Sequence, residues 1–179
     1  MGLSVDSDRM APPTQCFLSY AHTDSQGFQS LLDNLKPYAH LHNFSLWHDK
    51  GITAGSYWDD KIKQEVARSQ VFVLLTTNAF LGSDYVFQHE LPAIMDRHKN
   101  ANALVVPVVY RECAWRRFFG AYIQAIPIDD KGRLRPVRDW RDREAAMANA
   151  AEAISTAIQD WFGLSPPPSP FAASLGAHP

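Results

Sequence analysis

The sequence predicts an α/β protein, a flavodoxin-like three-layer sandwich around a central five-stranded parallel sheet. Two observations carry this prediction: short apolar runs rich in β-branched and aromatic residues, and intervening segments whose apolar residues repeat at helical spacing. Strands and helices that alternate along a chain form parallel sheets, and right-handed crossovers place helices on both faces. A chain of 179 residues with 46% hydrophobic content can bury such a core as one domain.

The predicted strands are the apolar runs at residues 16–18, 44–47, 71–75 and 104–109. The last two runs do not alternate between apolar and polar residues, which is typical of strands covered on both faces. A fifth, weaker run lies at residues 122–126 and ends at Pro127. We expect it to complete the sheet.

Apolar spacing also predicts three helices that pack on the sheet. The first follows Asp24, which can cap it, and its apolar stripe is Phe28, Leu31, Leu32, Leu35 and Tyr38. The second begins with a capping box at Ser56, and its stripe is Trp58, Ile62 and Val66. The last is ended by Gly163, and its stripe is Met147, Ala151, Ile154, Ile158 and Trp161.

A further helix is predicted after Ser83 and Asp84. Its core stripe is Phe87, Leu91 and Ile94, with Glu90 about 60° from Phe87 at the margin of that stripe. Pro92 has no backbone N–H, so it should bend the helix just beyond Glu90.

The domain is expected to span residues 14–163. Residues 1–13 contain no apolar run, and we therefore expect them to form a disordered N-terminal tail. Residues 164–179 are rich in Pro, Ser and Ala and predict an extended linker or tail, beyond which a sensor domain or partner could follow.

Charge and cysteine content narrow the partners and the compartment. The formal net charge is -2, so the chain lacks the excess of basic residues that binds nucleic-acid phosphates, and a nucleic-acid partner is not expected. No run approaches the ~20 apolar residues of a membrane span. Cys16 and Cys113 stand apart in apolar surroundings, which fits a reducing compartment better than a disulfide framework. We therefore expect a cytoplasmic protein without a membrane partner.

Ligands of open α/β sheets bind at the carboxyl ends of the strands, which here means the loops at residues 19–24, 48–56, 76–90 and 110–115. These loops contain no G-x-G-x-x-G, Walker A or G-x-S-x-G sequence. His89-Glu90 begins like a zincin motif, but Ala93 stands where the second histidine belongs, and we predict no metal site. A phosphoacceptor receiver domain is disfavoured, because the third strand ends in Thr76-Thr77-Asn78 without an aspartate.

Four segments in these positions resemble, in order and spacing, the bacterial form of the Toll/interleukin receptor (TIR) domain. They are Cys16-Phe17-Leu18-Ser19-Tyr20, Trp47-His48-Asp49 through Gly55, Ser83-Asp84-Tyr85 leading to Glu90, and Val106-Pro107-Val108-Val109 through Trp115. Residues 138–142, before the last helix, look like bacterial members as well. The resemblance covers about residues 14–162.

That resemblance implies one of two functions. The family includes enzymes that cleave the nicotinamide–ribose bond of NAD+. By resemblance, Glu90 occupies the position of the catalytic glutamate in those enzymes. It also implies substrate-binding roles for Ser19, Tyr20, Asp49, Gly55, Tyr85 and Trp115. The expected protein is an NAD+ glycohydrolase that releases nicotinamide and ADP-ribose or a cyclic isomer, acts in bacterial anti-phage defence, and is activated by self-association. The alternative is a non-enzymatic adaptor that works through TIR–TIR contacts.

The chemistry of the residues agrees with the enzymatic alternative. Nicotinamide departs from NAD+ as a neutral molecule, so, unlike ordinary glycoside hydrolysis, this cleavage needs no general acid. One carboxylate can hold the ribose hydroxyls and stabilise the developing oxocarbenium charge. NAD+ is then a substrate, and no cofactor is required.

Each site residue also has a purely structural interpretation. Glu90 could be a solvated helix glutamate, and Tyr20, Tyr85 and Trp115 could be packing aromatics. Asp49 could serve a turn and Gly55 a positive φ angle. Some NAD-cleaving relatives carry a basic residue just after the position of Tyr20 and an acidic residue two before the loop glycine. This sequence departs from them, with Ala21 and Thr53 at those positions.

Overall fold

The fold was analysed in a computed structural model, which describes residues 14–49, 57–100 and 103–163. Its sheet has four parallel strands, β1 (Thr14–Ser19), β2 (Phe44–His48), β3 (Val71–Thr76) and β4 (Leu104–Val109). Their order is β2-β1-β3-β4, and all three pairings are parallel. The direction of winding reverses between β1 and β3, and such a reversal opens a crevice at the carboxyl ends of the strands.

The fifth strand predicted at residues 122–126 does not form, so the sheet has four strands in the described part of the chain. Ile126 makes one isolated parallel bridge to Val108. Its N–H donates to the Pro107 carbonyl (2.9 Å), and its own carbonyl accepts from the Val109 N–H (2.8 Å). The pairing stops there, because the next residue is Pro127, which has no N–H, and Tyr122 at the other end of the run is fully exposed.

Helices cover both faces of the sheet, as predicted. They are α1 (Ser25–His42), α2 (Tyr57–Arg68), α3 (Asn78–Leu81), α4 (Leu91–Lys99), α5 (Trp115–Phe119) and α6 (Arg143–Phe162). Alternate β1 residues face opposite layers: Leu18 packs with residues of α1 and α6, whereas Phe17 packs with residues of α2, α4 and α5. The sheet is therefore the middle of three layers.

The ends of the long helices follow the prediction in part. Asp142 caps α6 by accepting from the Ala145 N–H (3.1 Å), and Gly163 ends it at φ 62°. Trp161, placed in the α6 stripe, is 39% exposed. Asp24 occupies the N-cap position of α1 but makes no cap hydrogen bond. Its carboxylate instead accepts from the Thr77 hydroxyl (2.7 Å) and lies 3.7 Å from the Arg111 guanidinium.

The predicted capping box at Ser56 and the side chain of Trp58 lie outside the described residues. Ile62 and Val66 of α2 are buried as predicted. Among the described helices, none is long and apolar enough to cross a membrane.

Candidate functional site

A π-helical turn (Val86–Glu90) leads into α4 and carries the predicted catalytic residue. The Leu91 N–H donates to the carbonyl of Val86, five residues earlier, which is the hydrogen bond that defines a π turn. Pro92 follows at the start of α4 and leaves the Gln88 carbonyl without its ordinary α-helical donor. The bend was predicted just beyond Glu90, whereas the irregularity that the structure shows is the π turn that ends at Glu90.

This π turn changes which side chains face the core. Val86 and Glu90 are 7% and 6% exposed, whereas Phe87 is 59% exposed. The prediction that Phe87 lies in the core was wrong, because an extra residue in the turn rotates it outward and brings Val86 and Glu90 onto the buried face with Leu91 and Ile94. Glu90 is consequently not a solvated helix glutamate.

Glu90 lines a cleft of about 170 Å³ at the carboxyl end of β1. The cleft brings together five of the seven predicted site residues: Ser19, Tyr20, Asp49, Tyr85 and Glu90. They come from the end of β1, the residue after β2, and the segment around the π turn. Sequence reasoning missed His22 and Ser83, which also line the cleft, although His22 follows the first predicted strand and Ser83 begins the segment that leads to Glu90.

The Glu90 carboxyl group is unusual in its burial and its bonding. Burial raises its pKa from 4.5 to about 7, a hydrogen bond from the Ser19 side chain lowers that pKa, and the negative charge of Asp49 raises it. Its Oε1 atom is buried and has no hydrogen-bond partner among the described residues. A buried carboxylate oxygen that lacks a partner costs free energy, so the site is ready to accept a donor from a ligand.

Tyr20 is held at the mouth of the cleft by aromatic neighbours. Its ring stacks on Phe28 of α1 at a centroid distance of 3.7 Å and meets His22 edge-on at 5.8 Å. Burial, and then the charge of Asp49, raise the pKa of its hydroxyl. Tyr20 therefore both packs against α1 and lines the cleft. Tyr85 is half-buried there, 5.4 Å from the His89 ring.

One described residue of the predicted site, Trp115, does not line this cleft. Trp115 is 7% exposed and packs in the core with Phe17 and Phe119, and the Arg116 guanidinium lies 4.7 Å from its ring centroid. This position favours the interpretation of Trp115 as a packing anchor. Gly55 lies outside the described residues. Within the described ranges, no three His, Cys, Asp or Glu side chains are grouped to hold a metal ion.

Comparison with known proteins defines the class of this domain. The model of the TIR domain family matches residues 16–145, and the chain therefore belongs to the TIR domain family. It is 29% identical over 141 residues to the uncharacterized protein y4lF of Sinorhizobium fredii (strain NBRC 101917 / NGR234). That match covers 79% of this chain and 42% of y4lF, so the chain spans about two fifths of that relative's length.

Among solved structures, the chain is similar to the TIR domains of the activated Roq1 resistosome directly recognizing the pathogen effector XopQ. The sequence identity is 15%, each chain is covered to 85%, and the TM-score is 0.42.

Proposed function

We propose that this TIR domain is an NAD+ glycohydrolase that cleaves the nicotinamide–ribose bond, with Glu90 as its catalytic residue. The observation that carries the proposal is the Glu90 carboxylate, which is buried in a cleft at the carboxyl end of a central strand and keeps Oε1 without a partner among the described residues. Membership of a family that contains NAD-cleaving enzymes supports the same activity.

The geometry suits a reaction that develops positive charge on a sugar. As the glycosidic bond breaks, its electron pair leaves with nicotinamide, and the ribose becomes an oxocarbenium ion that water or a hydroxyl of the same molecule captures. A carboxylate with an unfilled oxygen accepts hydrogen bonds from the ribose hydroxyls and stabilises the cation more strongly than it would in water. The charged form of Glu90 is the active one.

The size of the cleft limits how much of NAD+ it encloses. Sites that bury a whole drug-sized ligand occupy roughly 300–1,000 Å³, and this cleft has about 170 Å³. We propose that it takes the nicotinamide riboside end, with Tyr20 and Tyr85 beside the rings and Asp49 near the cationic pyridinium, and that the adenosine end extends beyond it.

The test is nicotinamide release from NAD+ by the purified chain, followed by chromatography. Glu90→Gln keeps nearly the same shape but removes the charge, and its activity should fall at least about 100-fold while the fold stays intact. Gln88→Glu, which adds a carboxylate on the exposed side of the same turn, is the matched control and should retain activity. Glu90→Gln activity within tenfold of wild type would overturn the role of Glu90.

We further propose that the domain acts in the cytoplasm as a defence effector and that turnover depends on self-association. The family uses the loop between Asp49 and Gly55 in TIR–TIR contacts, and a formal net charge of -2 puts little repulsion in the way of association. A partner subunit that contacts this segment would then raise the population of the active form of the domain.

Self-association has its own test. Specific activity should rise with protein concentration, and Gly55→Pro should suppress both assembly and turnover. If a dilute monomer has the same specific activity as concentrated protein, one chain holds the whole site. Assembly in the complete absence of nicotinamide release, at every concentration, would instead support the non-enzymatic adaptor.

A further inference from the structure

A second, larger cavity adjoins the cleft that contains Glu90. It follows β2, which is the edge strand on one side of the described sheet, and its volume is about 510 Å³. We call it the β2-edge groove. Asp49, the residue after β2, lines both the cleft and this groove, so the two cavities are neighbours. The other lining residues of the groove are Leu32, Lys36, Leu46, Trp47, His48 and Lys61.

The β2-edge groove is bordered from both layers of helices. Leu46 packs in the layer of α1 and α6, whereas Trp47 packs in the layer of α2 and α4. Each layer also contributes one exposed lysine, Lys36 from α1 and Lys61 from α2. The Lys36 ammonium donates to the Asp33 carboxylate (2.7 Å), but an ammonium has three N–H donors and can bind a further anion at the same time.

The charges of the two cavities are opposite in sign. The cleft contains the carboxyl groups of Asp49 and Glu90, whereas the groove beyond Asp49 contains the ammonium groups of Lys36 and Lys61. NAD+ has the matching order of charges, because its pyridinium ring is positive and its diphosphate is negative. A molecule of NAD+ with its nicotinamide in the cleft can therefore extend past Asp49 and bring its diphosphate to the two lysines.

Trp47 gives the groove an aromatic surface that is held in place. Its indole stacks on the Phe17 ring, with a centroid distance of 4.8 Å and an angle of 23° between the planes. Phe17 is buried in the core and covers one face of the indole, so a ligand in the groove meets the rest of the Trp47 side chain. Planar bases bind to such aromatic side chains by stacking.

We propose that the β2-edge groove binds the adenosine diphosphate half of NAD+, with Lys36 and Lys61 at the diphosphate and Trp47 beside the adenine. This inference rests on the proposed function, in which the cleft takes the nicotinamide riboside end. The cleft alone, at about 170 Å³, is too small for the whole molecule, but the cleft and the groove together fall within the roughly 300–1,000 Å³ of ordinary ligand sites.

A different groove, between α2 and α4, also borders Glu90 and is the competing route for the adenosine half. Its volume is about 320 Å³, and its cationic residues are Lys63 and Arg97. The Arg97 guanidinium already donates to two backbone carbonyls in the last turn of α2, and Asp96 adds a negative charge to the same groove. This groove therefore suits a diphosphate less well than the β2-edge groove does.

The deciding experiment is calorimetric titration of the chain with ADP, which has the adenosine and the diphosphate but no nicotinamide–ribose bond. Lys36→Glu and Lys61→Glu should each weaken ADP binding by about fivefold or more, and added salt should weaken binding to wild type. Lys131→Glu makes the same charge change at an exposed position that does not line the groove and should bind ADP like wild type. Lys63→Glu probes the competing groove and should also bind like wild type.

Two further measurements test the roles of the individual residues. The two lysine variants should raise the KM for NAD+ by a similar factor and leave kcat nearly unchanged, because they remove contacts to a part of the substrate that is remote from the bond that breaks. Trp47→Leu should weaken ADP binding, whereas Trp47→Phe, which keeps an aromatic ring against Phe17, should retain more of it.

The outcomes separate this inference from the proposed function. If wild type binds no ADP up to about 5 mM, which is above the usual range of KM values, the inference is wrong even if the domain releases nicotinamide. It is also wrong if Lys63→Glu weakens ADP binding more than Lys36→Glu and Lys61→Glu do, because the adenosine half then lies between α2 and α4. If ADP binds as expected but no nicotinamide is released from NAD+, the proposed function fails and the groove remains a nucleotide site.

Discussion

The Asp24 carboxylate accepts a 2.7 Å hydrogen bond from the Thr77 hydroxyl, and this bond joins the start of α1 to the start of α3. Both residues are buried, and the same Thr77 oxygen accepts from the Phe80 N–H (3.1 Å) as the cap of α3. The pair thus ties together the segments that follow β1 and β3, beside the crevice of the sheet.

We expect Thr77→Val to lower the free energy of unfolding by about 2 kcal/mol, because it removes both the donor to Asp24 and the cap of α3. A double-mutant cycle with Asp24→Ala, measured by chemical denaturation, should give a coupling energy of about 1–2 kcal/mol. Arg111→Gln is the control: its guanidinium is half-exposed and 3.7 Å from Asp24, so the loss should stay below about 1 kcal/mol. An equal loss in Arg111→Gln would mean that charge, not the hydroxyl, holds Asp24.

Glu90 should make the domain less stable as pH rises. Its folded pKa of about 7 lies above the ordinary value of 4.5, so the folded state binds more protons than the unfolded state between these values, and stability falls as pH rises through that window. Glu90→Gln lacks this effect. Its stability relative to wild type should increase by roughly 2 kcal/mol between pH 5 and pH 8 in paired denaturant titrations. A difference that does not change with pH would contradict the raised pKa.

Gly27 of α1 should resist substitution, because a Cβ atom at this position would overlap the Tyr110 ring. Alanine normally favours a helix over glycine by about 1 kcal/mol, yet overpacking a core costs about 1–3 kcal/mol. We therefore expect Gly27→Ala to lower the melting temperature. Adding Tyr110→Leu should make the alanine less harmful than it is alone. If Gly27→Ala raises the melting temperature, Tyr110 moves aside freely.

Trp115→Ala should lower stability by about 3–5 kcal/mol, the usual cost of removing a buried large aromatic side chain. The Michaelis constant for NAD+ should not change at a temperature where the variant remains folded, because Trp115 packs in the core. Trp115→Phe, which keeps an aromatic ring, should recover much of the stability. A raised Michaelis constant with unchanged stability would restore the stacking role that the family resemblance implies.

The layers of the fold were predictable because they depend on local periodicity. The stripe of α1 and the unbroken apolar runs of β3 and β4 are visible in the sequence, and they are buried in the structure except for Tyr38 and Leu104, which are half-buried. The rule that ligand loops lie at the carboxyl ends of parallel strands also selected the loops that contain Ser19 and Asp49, and both residues line the cleft with Glu90. These inferences need no knowledge of distant contacts.

The errors have physical causes that no local pattern contains. Phe87 was predicted to lie in the core because each residue of the helix was assumed to rotate by about 100°. A single π turn changes that rotation, and with it the set of side chains that face the core. Asp24 was taken for a cap, but its partner Thr77 is 53 positions away in the sequence. The fifth strand was inferred from apolar content, although Ile126 can pair only once before a proline.

Pro107 within β4 removes a hydrogen-bond donor from the outer edge of the sheet. Among the described residues, the backbone hydrogen bonds on the outer side of β4 are made by Ile126 alone: its N–H donates to the Pro107 carbonyl, and its carbonyl accepts from the Val109 N–H. Pro107 is the outward-facing position between Val105 and Val109, and it has no backbone N–H to donate. Prolines on an edge strand in this way block the addition of a strand from another chain. Crowding of many copies therefore carries little risk of strand-by-strand, amyloid-like growth from this edge. If copies of the domain associate as proposed, side-chain contacts can hold them together without fibre growth at β4.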